Sequence, residues 1–156
     1  ADRNRESEVS RLVDALPDTE DTGACVCDFE TFKEIYRVQR GVQVRYSLPV
    51  FLAIITVAPG QNADPAETSI MVEQLGELIH TSLRQCDVAA RYTEMQYVVM
   101  LTGSAAETGS SPLERIKASF YRLPAHGRYL LSYSLYVPEI QPEGGPARSR
   151  RKTAKK

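Results

Sequence analysis

Apolar residues along the chain fall into alternating helical and strand periods. Glu6 to Leu16 places Val9, Leu12, Val13 and Leu16 on one helical stripe, ended by Pro17. Three turns are marginal alone, so this helix must continue from, or dock on, something else. Ala24 to Asp28 reads as a short strand, and Phe29 to Val44, with Phe32, Ile35, Tyr36, Val38 and Val42, as a second amphipathic helix. Pro49 to Ala58 is an almost unbroken, β-branched apolar run closed by Pro59-Gly60, which predicts a strand buried on both faces. A long helix over Ala66 to Arg84 follows, carrying Val72, Leu75, Ile79 and Leu83. Two strands, Asp87 to Tyr92 and Tyr97 to Thr102, flank the polar turn Thr93-Glu-Met-Gln96 as a hairpin. A helix begins near Pro112 and carries Leu113, Ile116, Phe120 and Leu123. In the last strand, Tyr129 to Val137, Leu131, Tyr133 and Leu135 alternate with Ser132, Ser134 and Tyr136.

Strand, helix, strand, strand, helix, strand is the split βαβ order. The fold class is therefore α+β (βαββαβ), an antiparallel sheet with helices packed on it and preceded by N-terminal helices. The divisions are a helical linker over 1–22, a domain over 23–138 and a disordered basic tail over 139–156. That tail ends Arg148-Ser-Arg-Arg-Lys-Thr-Ala-Lys-Lys156 and has nothing apolar to bury.

Composition narrows the function. With 156 residues, 42% hydrophobic and 25% charged, the chain suits one globular domain with extensions. A formal charge of -1 excludes a body-wide polyanion binder, leaving the tail as a weak candidate for nucleic-acid contact. The longest apolar run, Leu48 to Pro59, falls short of the roughly 20 residues a bilayer needs. The first residues lack the charged-then-apolar order of a secretory signal. Three cysteines, Cys25, Cys27 and Cys86, are an odd number, so a reducing cytoplasm fits better than a disulfide framework. Cys25-x-Cys27 lacks zinc-knuckle spacing and is expected to pack against the sheet or a helix. Cys86, with no histidine near it, reads as a small apolar residue at a helix-to-strand junction. No metal or cofactor is expected.

One pair carries candidate chemistry. Arg84 and Asp87 stand three apart where the long helix gives way to a strand, an arginine fork beside a carboxylate. Such a pair matches guanine: Arg donates to the O6/N7 edge and Asp accepts from the N–H edge. On spacing alone, a local salt bridge or a helix-end arginine is the better explanation, because Arg-x-x-Asp is a common accident.

The stretch Arg84-Gln-Cys-Asp-Val-Ala-Ala-Arg-Tyr-Thr-Glu-Met-Gln-Tyr-Val-Val-Met-Leu101 resembles the GGDEF domain of bacterial diguanylate cyclases. That family reads Arg-x-x-Asp, small or apolar residues, Arg-Tyr, a Gly-Gly-Asp-Glu-Phe hairpin and an apolar strand. Five residues, Val88 to Tyr92, separate Asp87 from the hairpin, as in the family. The signature itself is replaced by Thr93-Glu94-Met95-Gln96-Tyr97. Both glycines, which let the family's hairpin approach phosphate, are gone. Met95 and Thr56 stand where the family's metal carboxylates would be, so two Mg²⁺ ions and a triphosphate have no anionic ligands. The guanine-reading Asn and Asp have no counterpart in Pro59 to Pro65. The resemblance thus implies a catalytically inactive domain, not an enzyme.

The family's product site combines the Arg-x-x-Asp pair with an arginine of the next helix, here Arg115 in Leu113-Glu-Arg-Ile116. The resemblance therefore implies a cyclic di-GMP site built from Arg84, Asp87 and Arg115. The alternative is a domain that binds no nucleotide and serves dimerisation or signal relay, its first helix leading from an upstream sensor or receiver module.

Overall fold

The structure, a computed structural model, describes residues 2–16, 23–47, 50–84, 86–102, 110–138 and 149–154. The helices are α1 (Asp2–Ala15), α2 (Phe29–Tyr46), α3 (Pro65–Ser82) and α4 (Ser110–Phe120). The strands are β1 (Cys25–Cys27), β2 (Val50–Pro59), β3 (Val88–Thr93), β4 (Gln96–Thr102), β5 (Tyr129–Pro138) and β6 (Ser149–Ala154). They form one sheet in the order β1-β3-β4-β2-β5-β6. Its centre, β3-β4-β2-β5, is antiparallel throughout and is the split βαβ unit expected from the pattern.

Local chemistry sets the helix starts. Asp28 accepts from Thr31 N–H at 3.0 Å and caps α2. Asp64 caps α3 with Pro65 in its first turn. Ser47, at φ 56, turns the chain out of α2 in the left-handed region.

Alternation along the strands separates two cores. Ala53, Ile55 and Val57 of β2, Val99 and Leu101 of β4, and Leu131 and Tyr133 of β5 face α3 and α4. Val50, Val88, Ala90, Val98 and Met100 face the other way, toward Phe32 of α2. Fully burying each large side chain of the first set contributes about 1.5–3 kcal/mol, so this layer anchors the fold.

Four expectations change. The sheet is mixed, because β1 runs parallel to β3, and helices cover both faces. β2 is buried more completely toward α3, through Ala53, Ile55 and Val57, since α2 leaves Leu52 and Ile54 half-buried on its side. Cys25 and Cys86 are exposed; β1 is an edge strand, and of its cysteines only Cys27 is partly covered beside α2. Ser149–Ala154, expected to be part of a disordered tail, pairs with β5 as an antiparallel edge strand. Backbone pairing needs no apolar side chain, and Lys and Arg are ordinary on sheet edges. Residues 1, 17–22, 139–148, 155 and 156, the rest of the expected linker and tail, lie outside the described residues.

Candidate functional site

Asp87 sits at the joint between α3 and β3 and is 1% exposed. Its carboxylate ties down two backbone amides. Arg84 N–H donates to Oδ2 at 3.0 Å, and Thr102 N–H donates to Oδ1 at 3.3 Å. The backbone repeats the clasp, with Asp87 N–H donating to Arg84 O at 2.9 Å and Cys25 N–H donating to Asp87 O at 3.1 Å. One residue thus joins the end of α3, the start of β1 and the end of β4. Buried charge persists where hydrogen bonds satisfy it, as they do here.

The Arg84 side chain is about half exposed, its Nε 3.9 Å from Asp87 Oδ2. Its Nη2 donates to Thr102 O at 3.1 Å, a second tie between this turn and β4. Arg115 lies on α4 with its side chain exposed and makes no hydrogen bond or ion pair among the described residues. Arg84 and Asp87 are therefore brought together, and no contact joins Arg115 to either. The third group at this clasp, Thr102, was missed in the sequence. Its backbone N–H does the work, and no side-chain motif signals that.

The hairpin tip is closed by neutral groups. Thr93 Oγ1 donates to Gln96 Oε1 at 3.0 Å, and Gln96 Nε2 donates to Thr56 Oγ1 at 3.1 Å. Arg91 reaches back to the carbonyls of Thr93 and Glu94 at 3.1 and 2.8 Å. Val57 N–H donates to Met95 O at 2.9 Å, and the Met95 side chain packs onto the α3-side core. Tyr97 is buried against α3, where a Cβ added to Gly76 would stand 3.0 Å from its Cζ. Among the described residues, no cluster of three or more His, Cys, Asp or Glu could hold a metal ion.

The histidines serve the fold. His80 Nδ1 donates to Ala24 O at 2.7 Å and His126 Nδ1 to Leu123 O at 2.8 Å. Burial is the main cause that pushes the Cys27 thiol up to about 11, with Cys25 and Asp28 adding to it, which disfavours a thiolate there. No helix among the described residues is long and apolar enough to cross a membrane.

This architecture can be set beside solved structures. The chain is similar to a DGC (diguanylate cyclase) protein from Thermotoga maritima, with a TM-score of 0.59, over 72% of this chain and 79% of that one. The fold is GGDEF-like. Sequence identity is 15%, so the likeness carries the architecture of this GGDEF-like domain and not its chemistry. No protein-family model matches the chain, and no curated protein matches it.

Proposed function

We propose that this chain is a catalytically inactive GGDEF-like signalling domain that works through protein contacts, by dimerisation or signal relay. The observation that carries this reading is the sequestered Asp87. A carboxylate that is 1% exposed, with each oxygen accepting from a backbone amide, is not offered to a guanine edge. Inactivity is supported by the hydrogen bond from Gln96 to Thr56. It brings the hairpin tip to the end of β2, where the resemblance places metal ligands, and both groups are neutral. Phosphoryl transfer without Mg²⁺ loses its main electrostatic help. For the partner contact, α1 offers Val9, Leu12, Val13 and Leu16, which are 58–60% exposed. An aliphatic stripe so placed suits a second copy or an upstream module.

A second reading keeps Arg84 and Arg115 as exposed guanidiniums that stack on and bond cyclic di-GMP, with Asp87 holding Arg84 in place. The half-exposed Arg84 side chain favours it.

Two measurements test the proposal. Incubation with GTP and Mg²⁺ is expected to give no cyclic di-GMP and no pyrophosphate; turnover contradicts inactivity. Sedimentation at increasing concentration is expected to show self-association, or capture of an upstream module, that Leu12→Glu weakens. A chain that stays monomeric and gains no partner through α1 contradicts the relay role.

A further inference from the structure

Among the described residues, the α2 side of the sheet is only partly covered. α2 lies over β1 and β3, and beyond it β2, β4 and β5 form the floor of a cavity of about 580 Å³. Tyr36 of α2, Leu52 and Ile54 of β2, Val98 of β4, and Ser134 and Tyr136 of β5 line it. An adjoining apolar hollow of about 210 Å³ shares Tyr36, Leu52, Ile54 and Val98 and continues to Phe29 and Tyr92. The larger cavity falls within the roughly 300–1,000 Å³ typical of small-molecule sites, with apolar walls and few polar groups.

Two of those polar groups are phenols, Tyr36 and Tyr136, which both line the cavity. Burial is the main cause that raises the Tyr36 phenol above its ordinary value. Neither the Tyr36 nor the Tyr136 hydroxyl has a hydrogen-bond partner among the described residues. Arg40 lies one turn after Tyr36 and donates to Gln43 Oε1, a neutral acceptor. Its neighbours on α2 differ: Lys33 pairs with Glu30 at 2.7 Å and Arg37 with Glu34 at 3.0 Å. Arg40 makes no ion pair among the described residues.

An apolar trough lined by two phenols, with a guanidinium one helical turn along α2 from Tyr36 that makes no ion pair among the described residues, defines its ligand by charge complementarity. We propose that this cavity binds a small amphipathic anion. The apolar body lies against Leu52, Ile54 and Val98, and the carboxylate bonds to Arg40 and to the hydroxyls of Tyr36 and Tyr136. The site lies on the opposite face from α3 and α4 and is independent of any guanine recognition.

The test uses the full chain with decanoate and decanol, which share an apolar body and differ in charge. Calorimetry is expected to show saturable 1:1 binding of decanoate below its micellar concentration, with decanol at least about tenfold weaker. Arg40→Gln is expected to weaken decanoate about tenfold and leave decanol unchanged. Ser134→Trp, which fills the cavity, is expected to abolish both while circular dichroism confirms the fold. No saturable decanoate binding at millimolar concentration overturns the proposal, as does binding that Arg40→Gln leaves intact. A dimer that Ser134→Trp dissociates assigns this face to a second copy and overturns it equally.

Discussion

Asp87 illustrates how much one side chain can hold. Removing its carboxylate leaves the amides of Arg84 and Thr102 without their acceptors in a part-buried turn. Asp87→Ala is therefore expected to cost about 2–4 kcal/mol, read as a lowered denaturant midpoint. Arg84→Ala removes a half-exposed pair and should cost about 1 kcal/mol or less. Equal losses for the two would show that the pair is held by charge and not by the backbone clasp. Gly76 gives a second residue-scale expectation. Alanine there improves helix propensity by about 1 kcal/mol, yet its methyl meets the Tyr97 ring. Gly76→Ala is expected to destabilise by about 1–3 kcal/mol; a stabilised variant would contradict this packing. Arg-x-x-Asp was visible in the sequence as a motif. Its use was not, because Thr102 lies fifteen residues away and contributes through its main chain.

Between elements, the Tyr133 hydroxyl donates to Glu114 Oε1 at 2.6 Å and ties β5 to α4. Tyr133→Phe should cost about 1–2 kcal/mol in an equilibrium unfolding experiment. Burial, then the Glu114 bond and charge, push this phenol up to about 12. The unfolded chain releases that proton near pH 10, so the folded state binds more protons above it. Stability is expected to fall as pH rises from about 10 toward 12, and the Tyr133→Phe curve to be flatter there. The strand and helix periods predicted most elements because their apolar residues face α3 and α4, as in β5. β2 was misread where its own run is apolar on both faces, since only the placement of α2 decides which face is covered. β6 was missed because a strand written Ser-Arg-Arg-Lys-Thr-Ala is recognised by the backbone of β5 and not by any pattern of its own.

For the whole molecule, the fold is GGDEF-like, and the proposal of inactivity rests on the neutral groups at the hairpin tip. In the sequence, the expectation of a degenerate hairpin rests on Thr93, Glu94, Met95 and Thr56, read against the family it resembles. The sequence did not show that Gln96, Thr93 and Thr56 would close the tip among themselves, because β2 and the hairpin meet only in the sheet. Two proposals rest on surface features of this fold: partner contact on the exposed aliphatic stripe of α1, and anion binding in the trough beside α2. The most direct test of the central claim, that the Arg84–Asp87 turn serves the fold and not a ligand, is a calorimetric titration with cyclic di-GMP. No saturable heat is expected from the intact chain or from Arg84→Ala. Saturable binding that Arg84→Ala abolishes would contradict it.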